Sequence, residues 1–121
     1  MSSTIDAGSL LADMTQAMTD VLKKDVTLLR GYSRSKAQEI ARFAKLIGEG
    51  YANGEIDEAQ LKEELKELDL MVGRHVRNLQ ALANTTIERL IKAVTSTLYG
   101  AISVAAGAAG VPLPSFDDGG D

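Results

Sequence analysis

Hydrophobic side chains between residues 56 and 109 fall into rows spaced eleven positions apart. Leu61, Val72, Ala83, Val94 and Ala105 form one row. Leu65, Val76, Ile87, Leu98 and Ala109 form a second, and Leu68, Leu79, Leu90 and Ala101 a third. An eleven-residue repeat corresponds to roughly 3.67 residues per turn, close to a straight α-helix. The pattern predicts one helix over about 57–109, roughly 75 Å long at 1.5 Å per residue. A helix of that length needs a partner along its apolar stripe.

The first half of the chain supplies that partner. Leu10, Met14, Ala17, Val21, Leu28 and Tyr32 recur at helical spacing, and Ala37, Ile40, Ala41, Ala44, Ile47 and Tyr51 continue the pattern. Thr4 and Ser9 are acceptable N-caps for its start. Gly31 lies in the middle, where a glycine costs about 1 kcal/mol in a helix interior, but no proline enforces a break. The expected element is a helix over about 9–50, continuous or kinked near Gly31.

Between the two halves, Gly48, Gly50 and Ala52-Asn53-Gly54 suit a helix C-terminus. Asp57 and Gln60 are spaced as a capping box, with Ile56 and Leu61 placed as a hydrophobic staple. The expected fold is therefore all-α: a long antiparallel helical hairpin with a coiled-coil-like eleven-residue register, completed by oligomerisation. Residues 1–8 read as an N-terminal arm, 9–111 as the hairpin domain and 112–121 as an acidic Pro/Gly/Asp tail without order of its own.

Charge refines this picture. The stretch 57–69 is acidic and 23–45 basic. In a hairpin folded at 54, Lys45 would approach Glu63, and Arg42 would approach Lys66 or Glu67. Between Lys92 and Asp117 there is no charge, and small residues recur four apart at Ser96 and Gly100, Ser103 and Gly107, Ala106 and Gly110. That spacing allows close approach of helix backbones. The same segment, 93–111, is long enough to span a bilayer, but it has few strongly apolar residues.

With 121 residues, 45% of them hydrophobic and 25% charged, the chain has the composition of one folded domain. A net charge of −4 counts against nucleic acid as a partner. With no Cys there is no thiolate site, and no secretory signal is expected from the N-terminus. His75 is the lone histidine and reads as a surface or interface residue. The acidic run lacks EF-hand spacing, and the glycine pairs lack a P-loop Lys-Ser/Thr. No catalytic, metal or cofactor site is expected.

The functional expectation is thus a non-enzymatic structural or interaction protein. It would be a helical part of a homo-oligomer or larger protein assembly, such as a virus particle or secretion machine, in the cytoplasm or inside that assembly. The alternative is a membrane-active protein that inserts residues 93–111. Either way, the interface is expected at Leu82, Ile91, Leu98, Gly100, Ile102, Val104, Gly107 and Gly110.

Overall fold

The computed structural model describes residues 5–110. The expectations for the tail, 112–121, and for the first four residues of the arm lie outside the described residues. Among the described residues the chain is all-helical, with four helices: α1 (Ala7–Leu22), α2 (Arg34–Ala52), α3 (Glu58–Arg77) and α4 (Asn84–Ala108). A single 3-10 turn, Val26–Leu28, lies between α1 and α2.

This overturns the two-helix hairpin. The expected helix over 9–50 is two helices, and so is the expected helix over 57–109. Neither the long hairpin nor a coiled-coil register is present, because the eleven-residue rows are divided between α3 and α4. The first break begins at Lys23, whose φ of 61° is left-handed and whose N–H closes α1 on the Thr19 carbonyl. The second begins at Asn78 and includes Ala81, with φ of 64°. Neither left-handed residue is the glycine that such a position favours.

Local chemistry explains the helix starts. Asp6 caps α1, accepting from the Gly8 N–H at 3.2 Å and the Ser9 hydroxyl at 2.8 Å. The Ser33 hydroxyl accepts from the Lys36 N–H at the start of α2. Asp57 and Gln60 form the expected capping box: the Gln60 N–H donates to Asp57 at 2.8 Å, and the Asp57 N–H to the Gln60 side chain at 3.3 Å. The start of α4 is different, since Ala83 stands at its N-cap with no side-chain cap.

The helices alternate in direction, and α4 packs against all three others. Its stripe of Leu90, Val94, Leu98, Ile102 and Ala105 joins Met14 and Met18 of α1, Ile40 and Ile47 of α2, and Leu61, Leu68, Val72 and Val76 of α3 in one core. The eleven-residue rows therefore mark buried side chains on both sides of the break. Ala83 and Ala109, at the ends of α4, are exposed exceptions, and Ile87 and Ala101 are half-buried. The apolar surface that a two-helix hairpin would leave uncovered is largely covered by the chain's own additional helices.

The two breaks meet at one end of the bundle. The Gln80 N–H donates to the Arg30 carbonyl at 3.0 Å. Gly31, with φ of +93°, lies so close to the second linker that a Cβ would collide with the Asn78 carbonyl. At the opposite end, Ile5 is clamped. Its N–H donates to Glu49 at 3.1 Å, its carbonyl accepts from Lys45 at 3.1 Å, and Lys45 and Glu49 pair at 2.7 Å. The partner of Lys45 is thus Glu49 on its own helix. The Ile5 side chain fills the notch at Gly48, where a Cβ would come within 2.6 Å of Ile5 Cδ1 and 3.5 Å of Ile102.

Candidate functional site

Two places in the fold combine features that could carry function. The first is the groove between the N-terminal half of α1 and the C-terminal half of α4. It has a volume of about 390 Å³ and is lined by Ile5, Ser9, Leu10 and Asp13 on one side and by Thr97, Gly100, Val104 and Ala108 on the other. It exists because α4 is built from small residues here. Gly100 and Ala108 leave the helix backbone bare on the side turned to solvent, while Leu98 and Ile102 fill the core behind. Asp6 and Asp13 make its rim acidic. The bonds from Ser9 and Gly8 hold the Asp6 carboxyl below its ordinary value, so it is ionised at neutral pH.

The expected interface residues divide three ways. Gly100, Val104, Gly107 and Gly110 are exposed, with Val104 the most prominent at 73%. Leu82, in the linker before α4, and Ile91 are half-buried. Leu98 and Ile102 are fully buried within the single chain and present nothing to a partner. Leu98 lies in one of the eleven-residue rows and Ile102 beside them, and division of the rows into two helices gives both neighbours inside the chain.

Gly100 and Gly107 have a further property. A Cβ added at either would meet nothing within 4 Å. The fold itself therefore does not require glycine there, although Gly100, in the interior of α4, costs about 1 kcal/mol relative to alanine.

The second place is His75, expected at the surface or an interface and found buried within the single chain. The ring is only 3% exposed, and neither nitrogen has a hydrogen-bond partner among the described residues. Tyr32, from the first linker, packs edge-on against it with ring centroids 5.5 Å apart. Burial pushes the His75 pKa below its ordinary value, because a charged imidazolium would lose its hydration. The cations nearest in sequence, Arg74 and Arg77 on α3 and Arg30 and Arg34 beside Tyr32, are exposed. The described residues include no cluster of His, Cys, Asp and Glu that could hold a metal ion, so the ring has no companions for ligation.

A neutral, buried His75 predicts a pH dependence. Below the unfolded-state pKa of about 6.5 the unfolded chain binds a proton that the folded chain resists. The stability linked to His75 is complete above that value and is lost as pH falls from there through the lowered folded pKa. Urea titrations at pH 7.5 and pH 5.5 should show a fall in stability that is smaller in His75→Leu. An equal fall in both proteins would place the acid sensitivity elsewhere.

Comparison with known proteins finds no matching family model, no matching curated relative and no matching solved structure.

Proposed function

We propose that the chain is a non-enzymatic structural protein that assembles with further copies of itself through the exposed face of the C-terminal half of α4. The observation that supports this reading is the pair Gly100 and Gly107. Gly100 interrupts the interior of α4 and Gly107 stands in its last turn, both at positions where the fold has open space. The cost of about 1 kcal/mol at Gly100, which brings no benefit inside the chain, is offset if another backbone approaches there, as small residues four apart permit. Val104, exposed between them beside the groove, supplies the apolar contact such an approach would bury. Identical copies are the simplest partners, since most soluble oligomers are homo-oligomers.

Insertion into a membrane is the second reading. It is favoured by α4 itself, which is long and apolar enough to cross a bilayer, with a mean hydropathy of 1.3 over its most apolar window. It ranks behind assembly because the strongly apolar stripe of α4 faces the core, while Ser96, Gly100 and Ser103 face outward. Insertion would first have to open the bundle.

Substitution separates these readings. Gly100→Ala should stabilise the isolated chain by up to about 1 kcal/mol, and Gly107→Ala, in the last turn, by less, because neither meets a clash inside it. Gly100→Leu and Gly107→Leu should leave the fold intact and dissociate the assembly, read by sedimentation velocity over a range of concentrations. A chain that sediments as a monomer throughout refutes self-assembly. Flotation with liposomes that is strengthened by the leucine variants and survives high salt would favour insertion.

A further inference from the structure

Charge is unevenly distributed between the two ends of the bundle. The end where the linkers meet carries Lys23, Lys24 and Arg30 on the first linker, Arg34 at the start of α2, and Arg74 and Arg77 in the last turn of α3. All six are exposed, and among the described residues none of them forms a salt bridge within the chain. Asp20, Asp25 and Glu88 are the carboxylates nearby, and the six cations outnumber these three acids. The hydrogen bonds of Asp20 and Asp25 are to neutral groups, the Gln16 amide and the Thr27 N–H and hydroxyl. The opposite end is acidic, with Asp6, Asp13, Glu55, Asp57 and Glu58. The length of α2, 19 residues, separates the two ends by about 28 Å. That is well beyond the screening length of about 8 Å at physiological salt, so the overall net charge of −4 does not cancel the local field.

Among these cations sits Leu28. It belongs to the 3-10 turn and is 81% exposed, the most exposed of the large hydrophobic side chains described. Its neighbour Val26 is fully buried and anchors the turn, so Leu28 projects from a fixed support. Leu82, half-buried, lies on the adjoining linker.

We propose that this basic end is a docking surface for an anionic lipid bilayer, with Leu28 entering the interface and Lys23, Lys24 and Arg30 meeting the headgroup phosphates and carboxylates. An apolar tip ringed by cations is the arrangement that interfacial binding requires: the tip leaves water, and the cations meet negative charge at headgroup depth. Nucleic acid fits less well. Single-strand binding uses exposed aromatic rings as stacking platforms, and Tyr32, the aromatic at this end, is packed against His75. A bare leucine has no partner on a phosphate backbone. This docking differs from insertion of α4, because it leaves the bundle closed, and it stands or falls separately from self-assembly.

The test uses the full chain and sedimentation with vesicles of phosphatidylcholine, with or without about 30% phosphatidylserine as the anionic lipid. The chain should bind the anionic vesicles, spare the neutral ones and be released by about 0.5 M salt, where charges are screened. Each basic residue at such a surface changes binding about fivefold, so the triple variant Lys23→Gln, Lys24→Gln, Arg30→Gln should bind about 100-fold more weakly. Leu28→Ser should lose about tenfold, from the apolar area no longer buried. All four positions are exposed, and circular dichroism checks that the helices remain; if they do not, the salt titration of the unaltered chain decides. Equal binding to both kinds of vesicle, binding that resists salt, or full binding by a correctly folded triple variant overturns the proposal. So does tighter binding to duplex DNA than to anionic vesicles.

Discussion

Gly31→Ala should destabilise the chain by about 3 kcal/mol or more, a large part of the 5–15 kcal/mol that typically holds a domain together. Two costs combine. The φ of +93° is unfavourable for any residue with a Cβ, by about 1–2 kcal/mol. The new methyl group would also overlap the Asn78 carbonyl, a backbone atom that cannot rotate away. The linkers would have to part, which would break the bond between the Gln80 N–H and the Arg30 carbonyl and disturb the contact of Tyr32 with His75. Gly54 is the control. Its φ of +76° is also left-handed, yet a Cβ there meets nothing within 4 Å. Gly54→Ala should therefore show only the backbone cost. Urea denaturation of the two variants measures the difference, and equal effects would mean that the contact between the linkers contributes nothing.

Leu98→Ala should cost about 2–5 kcal/mol, through lost burial and the cavity left behind. Leu98 is fully buried on the helix that touches all the others, so little of that cavity can be closed by surface side chains. The effect should not vary with protein concentration, which distinguishes a core residue from an interface residue. The useful comparison is Asp57→Ala, which removes the side-chain half of a capping box and should cost only about 0.5–2 kcal/mol. If the cap variant is the less stable of the two, or if the Leu98 effect vanishes on dilution, the packing of α4 has been misjudged.

The contrast between these sites shows what the sequence makes legible. The turn at 51–57 could be read because its signals are local: Gly54 supplies the left-handed residue, and Asp57 and Gln60 satisfy each other's backbone. The inward-facing positions of α3 and α4 could be read because burial follows hydrophobic spacing, as at Leu65, Val76 and Leu98. The break between those helices could not. Leu79 is buried even though it lies outside both helices, so the apolar spacing continues across the linker. Ala81 adopts a conformation usually given to glycine, and Ala83 begins α4 without a cap. Leu-Gln-Ala-Leu-Ala reads as good helix, and the tertiary contact with Arg30 and Gly31 opposes that preference. The same holds for Lys23 at the end of α1.

The candidate sites follow the same division. Gly100, Val104 and Gly107 could be found from spacing alone, and they are exposed as an interface requires. Leu98 and Ile102 share that spacing and lie inside, because spacing cannot tell which neighbour a stripe will face. His75 gave no sign of burial, since Arg74 and Arg77 flank it and both point to water. Leu28 looked like one more core residue on a continuous helix. It is exposed because the helix ends before reaching it.

The clamp on Ile5 also has a consequence for the order of events at the ribosome. Ile5 is made before its seat, which is built from Lys45, Gly48 and Glu49 and is closed by Ile102. At translation rates of roughly 5–20 residues per second, the wait for Ile102 is on the order of 5–20 s. During that interval Ile5 has no complete place to bind. Its seat is completed only when α4 emerges and closes over it.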